Sequence, residues 1–213
     1  MFKTKIVITG GPSGGKTTLI ETLQKDMTGT LSVVPEAASL LYRGGFPRKS
    51  SAIGRKHAQR AICLVQRELE DFVSAESKSG VIVCDRGSLD SIAYWPGDEE
   101  AFFESLASNR QDELARYHWV LHLDTADHDF FDTSNPVRTE SHKEAVELNK
   151  LIKIAWEGHP QRIVISHSNE FLDKITKAKK VIQLILQGKS YEQIMDEIDD
   201  SPLPALFKKR PDE

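Results

Sequence analysis

Residues Gly10-Gly11-Pro12-Ser13-Gly14-Gly15-Lys16-Thr17 follow the apolar stretch Ile6-Val7-Ile8 after a single Thr9. Their spacing is a glycine, four residues, then Gly-Lys-Thr. Glycines let a backbone wrap an oxyanion without Cβ clashes, so that successive N–H groups face a phosphate. A lysine at the end of such a loop reaches the β- and γ-phosphates of a nucleotide, and the following hydroxyl takes one position on Mg2+. The candidate nucleotide-binding residues are therefore Gly11, Pro12, Ser13, Gly14, Gly15, Lys16, Thr17 and Thr18, with Lys16 also a catalytic charge and Thr17 a metal ligand. A helix beginning near Lys16 adds the positive end of its dipole to the same place.

A second marker is Val81-Ile82-Val83-Cys84-Asp85, four apolar residues closed by a carboxylate. At a strand end beside a phosphate loop, Asp85 is placed to order Mg2+ and its bound water. Taken alone, the same pattern also describes an ordinary strand ending in a turn-favouring Asp. Arg86 follows at once, where it either clamps a phosphate or an acceptor group or pairs with Asp85 or Asp90.

These residues need a scaffold that brings strand ends together. Short β-rich runs, Lys5 to Thr9, Ser32 to Pro35, Val81 to Asp85, His118 to Asp124 and Arg162 to Ser166, alternate with helical patterns. The helices are expected at about Lys16 to Asp26, Ile53 to Glu76, Asp98 to Asn109, Glu140 to Trp156 and Glu170 to Gln187. A Ser190-capped helix runs to about Ile198. This rhythm predicts an α/β fold: a three-layer α/β/α P-loop NTPase domain with a five-stranded parallel sheet and a short lid, ligand at the carboxyl ends of the strands. Residues 1–188 form that domain and 189–213 a C-terminal helix and tail, with Lys208-Lys209-Arg210 solvated.

The chain has 213 residues, 39% of them hydrophobic, enough for one well-buried core, and no Pro/Gly/Ser-rich linker divides it. The formal net charge of −4 gives no reason to favour a nucleic-acid polymer as partner and points to small molecules. Cys63 and Cys84 suit a reducing compartment and offer no disulfide or zinc framework. The seven histidines lack ligand spacing. The N-terminus enters a strand without a signal peptide, and no apolar run approaches the roughly twenty residues that span a bilayer. A cytoplasmic protein with no membrane partner is expected; the oligomeric state is left open.

The ordered set Ile8 to Thr18, Val34-Pro35-Glu36-Ala37-Ala38, Gln59-Arg60-Ala61 with Gln66 and Glu68, and Asp85-Arg86-Gly87 with Asp90 and Ala93-Tyr94 resembles the AAA-type P-loop ATPase/kinase domain of the NadR group, which includes nicotinamide riboside kinases. The resemblance covers about residues 4–170. It is more distantly similar to deoxynucleoside kinases. What it implies is a nucleotide-binding domain closer to small-molecule kinases than to hexameric motors. By that resemblance Glu36, at the end of the second strand, takes the proton from an acceptor hydroxyl; the competing reading is a helix-start carboxylate on the next helix's dipole. Gln59 matches the Gln that hydrogen-bonds the substrate base, or is a solvated helix residue. Tyr42, Phe46, Tyr94 and Trp95 are candidates to line an acceptor pocket.

The polar stretch Thr125 to Ser141 follows the fourth strand, where many small P-loop kinases carry a lid. Its Arg138 is the candidate for neutralising transferred-phosphoryl charge, an effect worth roughly a thousandfold; otherwise it is an incidental loop residue. Asp127, Asp129 and Asp132 lack the Gly and terminal Glu of a calcium loop. His167-Ser168-Asn169 is placed to cradle adenine. No Asn-Lys-x-Asp guanine reader follows the fourth strand, which tilts the donor towards ATP. Two function classes follow: a Mg2+- and ATP-dependent phosphotransferase acting on a nucleoside, riboside or similar hydroxyl acceptor, or a nucleotide-dependent switch or accessory ATPase/GTPase without one.

Overall fold

The computed structural model describes residues 3–125, 141–166 and 171–199. Arg138 and the rest of the expected lid, His167 to Asn169 and the Lys208 to Arg210 tail lie outside the described residues.

Five strands, β1 (Thr4–Thr9), β2 (Leu31–Val34), β3 (Val81–Asp85), β4 (Trp119–Leu123) and β5 (Arg162–Ile165), form one parallel sheet in the order β2-β3-β1-β4-β5. The chain builds one half of the sheet, then crosses β1 to build the other, so the strand order reverses beside the loop that follows β1. That crevice, outside the carboxyl ends of the strands, is where such sheets hold ligands.

Successive side chains of a strand point to opposite faces, and here both faces are covered. Ile6 and Ile8 join Val83, Leu121 and Ile163 in a layer closed by α1 (Lys16–Asp26), α7 (Phe171–Leu186) and α8 (Tyr191–Asp199), which contributes Ile194 and Ile198. Val7 joins Ile82, Cys84 and Val120 in the opposite layer, with Cys63 of α3 (Ala52–Glu76), Phe102 of α4 (Glu99–Ser105) and Ile152 of α6 (His142–Ala155). The three-layer α/β/α expectation holds. Burial pushes the Cys63 thiol up to about 12 and raises Cys84 as well, so both are inert packing residues.

The elements depart from the sequence reading in three places. A seven-residue helix, α2 (Ala37–Arg43), and a 3₁₀ segment, Ser88–Tyr94, were not expected; both are too short to show a helical period. The helix expected at Asp98 to Asn109 stops at Ser105 as α4, and a further helix, α5 (Arg110–Ala115), lies beyond the expected range. Ala107 sits at φ 47°, in the left-handed region that ends a helix, and Asn109 restarts one by accepting a hydrogen bond from the Asp112 N–H at 2.9 Å. The expected Glu140 start of α6 moves to His142, because Ser141 and Glu144 form a reciprocal capping box.

Candidate active site

β1 ends at Thr9 and the chain turns through Gly10 at φ 126°, Ser13 at φ 57° and Gly15 at φ 91° before α1 begins at Lys16. The loop lies directly on the end of β4: a Cβ on Gly10 would fall 2.0 Å from the Leu123 carbonyl oxygen, and one on Gly14 2.7 Å from the same atom. No side chain fits there. Lys16 is buried, and its Nζ donates to the carbonyls of Gly10 and Gly11 at 2.8 and 2.7 Å. Burial, with the Arg86 charge beside it, lowers its pKa to about 7 against the pull of Asp85, Glu36 and Asp90.

The loop opens on a cavity of about 940 Å3. Pro12, Gly14, Gly15, Lys16 and Thr17 form one wall, and Glu36, Tyr42, Gln59, Asp85, Arg86 and Tyr94 line the rest. The remaining loop candidates are not in that wall. Gly11 turns its N–H to Asn149 Oδ1 at 2.9 Å, Ser13 is buried and Thr18 is exposed. Phe46 and Trp95 are not in the wall either. Trp95 packs edge-on against Phe102 at 5.3 Å and lies under the Lys56 ammonium.

Arg86 organises the inner end. It occupies the left-handed region at φ 70°, a strained conformation for a side-chain-bearing residue, and its N–H is held by the Ile8 carbonyl at 3.0 Å. Its Nε donates to Glu36 Oε1 at 2.6 Å and its Nη1 to Asp90 Oδ2 at 2.9 Å. Of the two partners expected for Arg86, Asp90 is the one it takes; Glu36 is a third. Asp90 is fully engaged: its Oδ1 accepts from Thr9 Oγ1 at 2.6 Å and from the Trp156 indole N–H at 2.7 Å. Gln66 ties this corner to α3 by donating to the Arg86 carbonyl and to Glu70 Oε1, each at 3.2 Å.

Glu36 caps the start of α2 without a side-chain cap bond of its own; Ser39 Oγ donates to it. Burial works to raise its pKa, but the Arg86 charge and the hydrogen bonds from Ser39 and Arg86 outweigh that and hold it below the usual carboxylate range. Asp85 is the opposite case. Its carboxylate makes no hydrogen bond or ion pair among the described residues, and burial, reinforced by the Glu36 charge, pushes it up to about 6. An under-neutralised carboxylate and the Thr17 hydroxyl are hard oxygen donors on one cavity. Two such donors suit Mg2+, which keeps water and substrate oxygens in its octahedron instead of taking an all-protein cage. Among the described residues no group of three His, Cys, Asp or Glu forms a metal cluster.

Behind the loop lies a polar network absent from the sequence reading. Asn149 of α6 receives the Gly11 N–H and the His122 Nε2–H on Oδ1 and donates to Asp124 Oδ1 at 2.8 Å. Lys153 also reaches Asp124 Oδ1, at 2.7 Å, and Lys174 bonds its backbone oxygen. The signal was present: Ala145, Asn149, Ile152 and Trp156 recur at helical spacing, so Asn149 is a polar residue on a buried stripe. Burial raises the Asp124 pKa, but hydrogen bonds from His122, Lys153 and Asn149 overcome it and hold the group well below the carboxylate range. A depressed pKa contributes stability that is present above the unfolded value and lost as pH falls through the folded one. Asp124→Asn is therefore expected to cost about 2 kcal/mol at neutral pH and to flatten the loss of stability below pH 4. Urea unfolding of both proteins from pH 7 to pH 2 measures this; parallel pH curves would exclude the role.

A strand, a glycine loop, a buried lysine and a strand-end carboxylate on one crevice define the P-loop nucleotide-binding class. The chain belongs to the AAA domain family, whose model matches residues 5–174. No curated protein matches the sequence. Among solved structures, the NadR protein in complex with NAD and AMP-PNP is 16% identical with a TM-score of 0.63, over 89% of this chain and 51% of that one, so the chain spans about half of its length. Thymidylate kinase from Ehrlichia chaffeensis is 15% identical with a TM-score of 0.57, over 87% of this chain and 100% of that one. Deoxyadenosine kinase from M. mycoides, with dCMP and dCDP bound, is 14% identical at a TM-score of 0.57 over the same shares. These likenesses establish the P-loop kinase fold.

Proposed function

We propose that the protein is a Mg2+-dependent phosphotransferase that moves the γ-phosphoryl of ATP to a small hydroxyl-bearing acceptor of nucleoside or riboside type. The observation that carries this reading is that one cavity is lined by Lys16 and Thr17 of the phosphate loop and by Asp85, Arg86 and Glu36. A donor phosphate and an acceptor hydroxyl have room in one enclosure. Kinases and the AMP-PNP-bound NadR protein share the fold, which supports ATP as the donor, as does the missing guanine reader.

In this reading Lys16 exchanges the carbonyls of Gly10 and Gly11 for the β- and γ-phosphates and regains full charge. Thr17 and Asp85 would hold Mg2+, which would supply neutralisation of charge on the phosphates. Arg86 orients Glu36 through Nε and keeps Asp90 on Nη1, leaving Nη2 for the transferred phosphoryl. Glu36, held on the acidic side, is a weak base and accepts the hydroxyl proton only as the new O–P bond makes that hydroxyl acidic; its contribution is position. Gln59, Tyr42 and Tyr94 contact the body of the acceptor, and Arg138 adds charge from the segment before α6. The buried, unpaired Cys63 and Cys84 support a reducing, cytoplasmic setting. Among the described residues no helix is long and apolar enough to cross a membrane.

The test is ADP formation screened across ribosides and nucleosides. Acceptor-dependent release supports the phosphotransferase; release indifferent to every acceptor rejects it in favour of an ATPase or switch. Glu36→Gln is expected to lower kcat with the responsive acceptor by about 100-fold while the KM for ATP stays within threefold. An unchanged kcat removes Glu36 from the chemistry.

A further inference from the structure

We propose, resting on the phosphotransferase reading, that the acceptor is an anion: a hydroxyl compound carrying a phosphate group at the end of the molecule remote from the hydroxyl that reacts. The two ends of the cavity differ in charge. At the inner end Lys16 and Arg86 face Glu36, Asp85 and Asp90, and both ion pairs of Arg86 are made there. A second anionic group at that end would meet three carboxylates. The outer end is walled by Arg43, at the end of α2, Arg48 and Lys49 in the following loop, and Arg55, in the first turn of α3. The one other carboxylate on the cavity, Glu21, belongs to α1. Arg43, Lys49 and Arg55 make no side-chain hydrogen bond or ion pair among the described residues, while Arg48 lies over the Tyr42 ring, 5.2 Å from its centroid.

Cations that only solubilise a surface are interspersed with acids; these four line one cavity and come from a segment, Ala37 to Arg67, that contains no Asp or Glu. Three guanidiniums and an ammonium match a multi-oxygen dianion such as a phosphate monoester, which takes several charge-assisted hydrogen bonds at once. The spacing sets the length of the acceptor. Arg55, Gln59, Ile62 and Gln66 lie on one face of α3, which puts the Arg55 backbone about 16 Å along the helix from Gln66, the residue bonded to the Arg86 carbonyl. Arg43 lies about 9 Å along α2 from Ala37, next to Glu36. The reacting corner and the cationic end are thus separated by several turns of helix, and the acceptor must bridge that separation. Gln59, Tyr42 and Tyr94 line the same cavity and are available to meet a flat ring. In the reaction the acceptor oxygen bonds to the γ-phosphorus as its bond to the β,γ-bridging oxygen breaks, the hydroxyl proton passes to Glu36, and ADP leaves.

The experiment compares ribose and the four common ribonucleosides with their 5′-monophosphates in two assays: ADP formation from Mg·ATP, and calorimetric binding to protein saturated with AMP-PNP. The variants are Arg43→Gln/Lys49→Gln/Arg55→Gln and, as a milder change, Arg55→Gln alone, with AMP-PNP affinity as the folding control. Phosphorylated compounds are expected to bind at least about tenfold more tightly than their neutral partners. The triple variant should lose that preference through binding and KM, leaving AMP-PNP affinity within twofold. Equal or better binding of the neutral compounds, no binding by any member of the panel, or a preference that survives the triple variant overturns the proposal. Turnover of neutral acceptors alone overturns it while leaving the phosphotransferase reading intact. Phosphate-selective binding lost in the triple variant, but without acceptor-dependent ADP formation, upholds the anion subsite and rejects the phosphotransferase reading.

Discussion

Lys16→Ala is expected to lower kcat/KM for ATP by about a thousandfold and to weaken binding of a fluorescent ATP analogue by at least about tenfold, while changing unfolding free energy by less than about 2 kcal/mol. The asymmetry follows from how Lys16 is held. Its buried Nζ donates to the Gly10 and Gly11 carbonyls, and burial lowers its pKa to about 7. Removing it relieves a desolvation cost and orphans two carbonyls, effects of opposite sign. Nothing offsets the loss once a polyanion occupies the loop. Full nucleotide affinity and turnover in this variant would contradict both the phosphotransferase and the switch, since each requires the loop to bind phosphate.

Arg86→Ala should fail in a different way, by unfolding more easily as well as by losing turnover. Its side chain is 17% exposed, and it neutralises Asp90, whose side chain is 5% exposed, together with the less buried Glu36. Removing one partner of a buried ionic network leaves charge uncompensated, at a cost of about 3–5 kcal/mol. Arg86→Lys should recover little of it, because a single ammonium cannot serve Glu36 through Nε and Asp90 through Nη1 at once. Equilibrium urea unfolding of the two variants, set beside their ADP formation, separates this residue from Lys16. A loss below about 1 kcal/mol in Arg86→Ala would mean that the network does not hold the corner together.

The parts of the site legible in the sequence are those whose geometry is local. The phosphate loop is one continuous segment, and Val81 to Asp85 reads as a buried strand because an apolar run of that length between turn signals has few other fates. Its limits coincide with β3. The contacts that organise the cavity join residues far apart in the chain. Arg86 and Glu36 are fifty positions apart, and their pairing depends on β2 and β3 lying side by side. The outer cations look like ordinary loop and helix-end charges until the end of α2 and the start of α3 bring them onto one wall. Gln66 and Asn149 show a third kind of gap. Each is a polar residue on a buried helical face, which announces a hydrogen-bond debt without naming the creditor.

The indole of Trp156 is fully buried and donates to the carboxylate that anchors Arg86. Of the chain's three tryptophans, Trp119 stacks on Tyr191 and Trp95 packs against Phe102. The inner end of the cavity is thus wired to a natural chromophore, so that any displacement of Arg86 alters the electrostatic field on one indole and can be followed as a change in emission without any label.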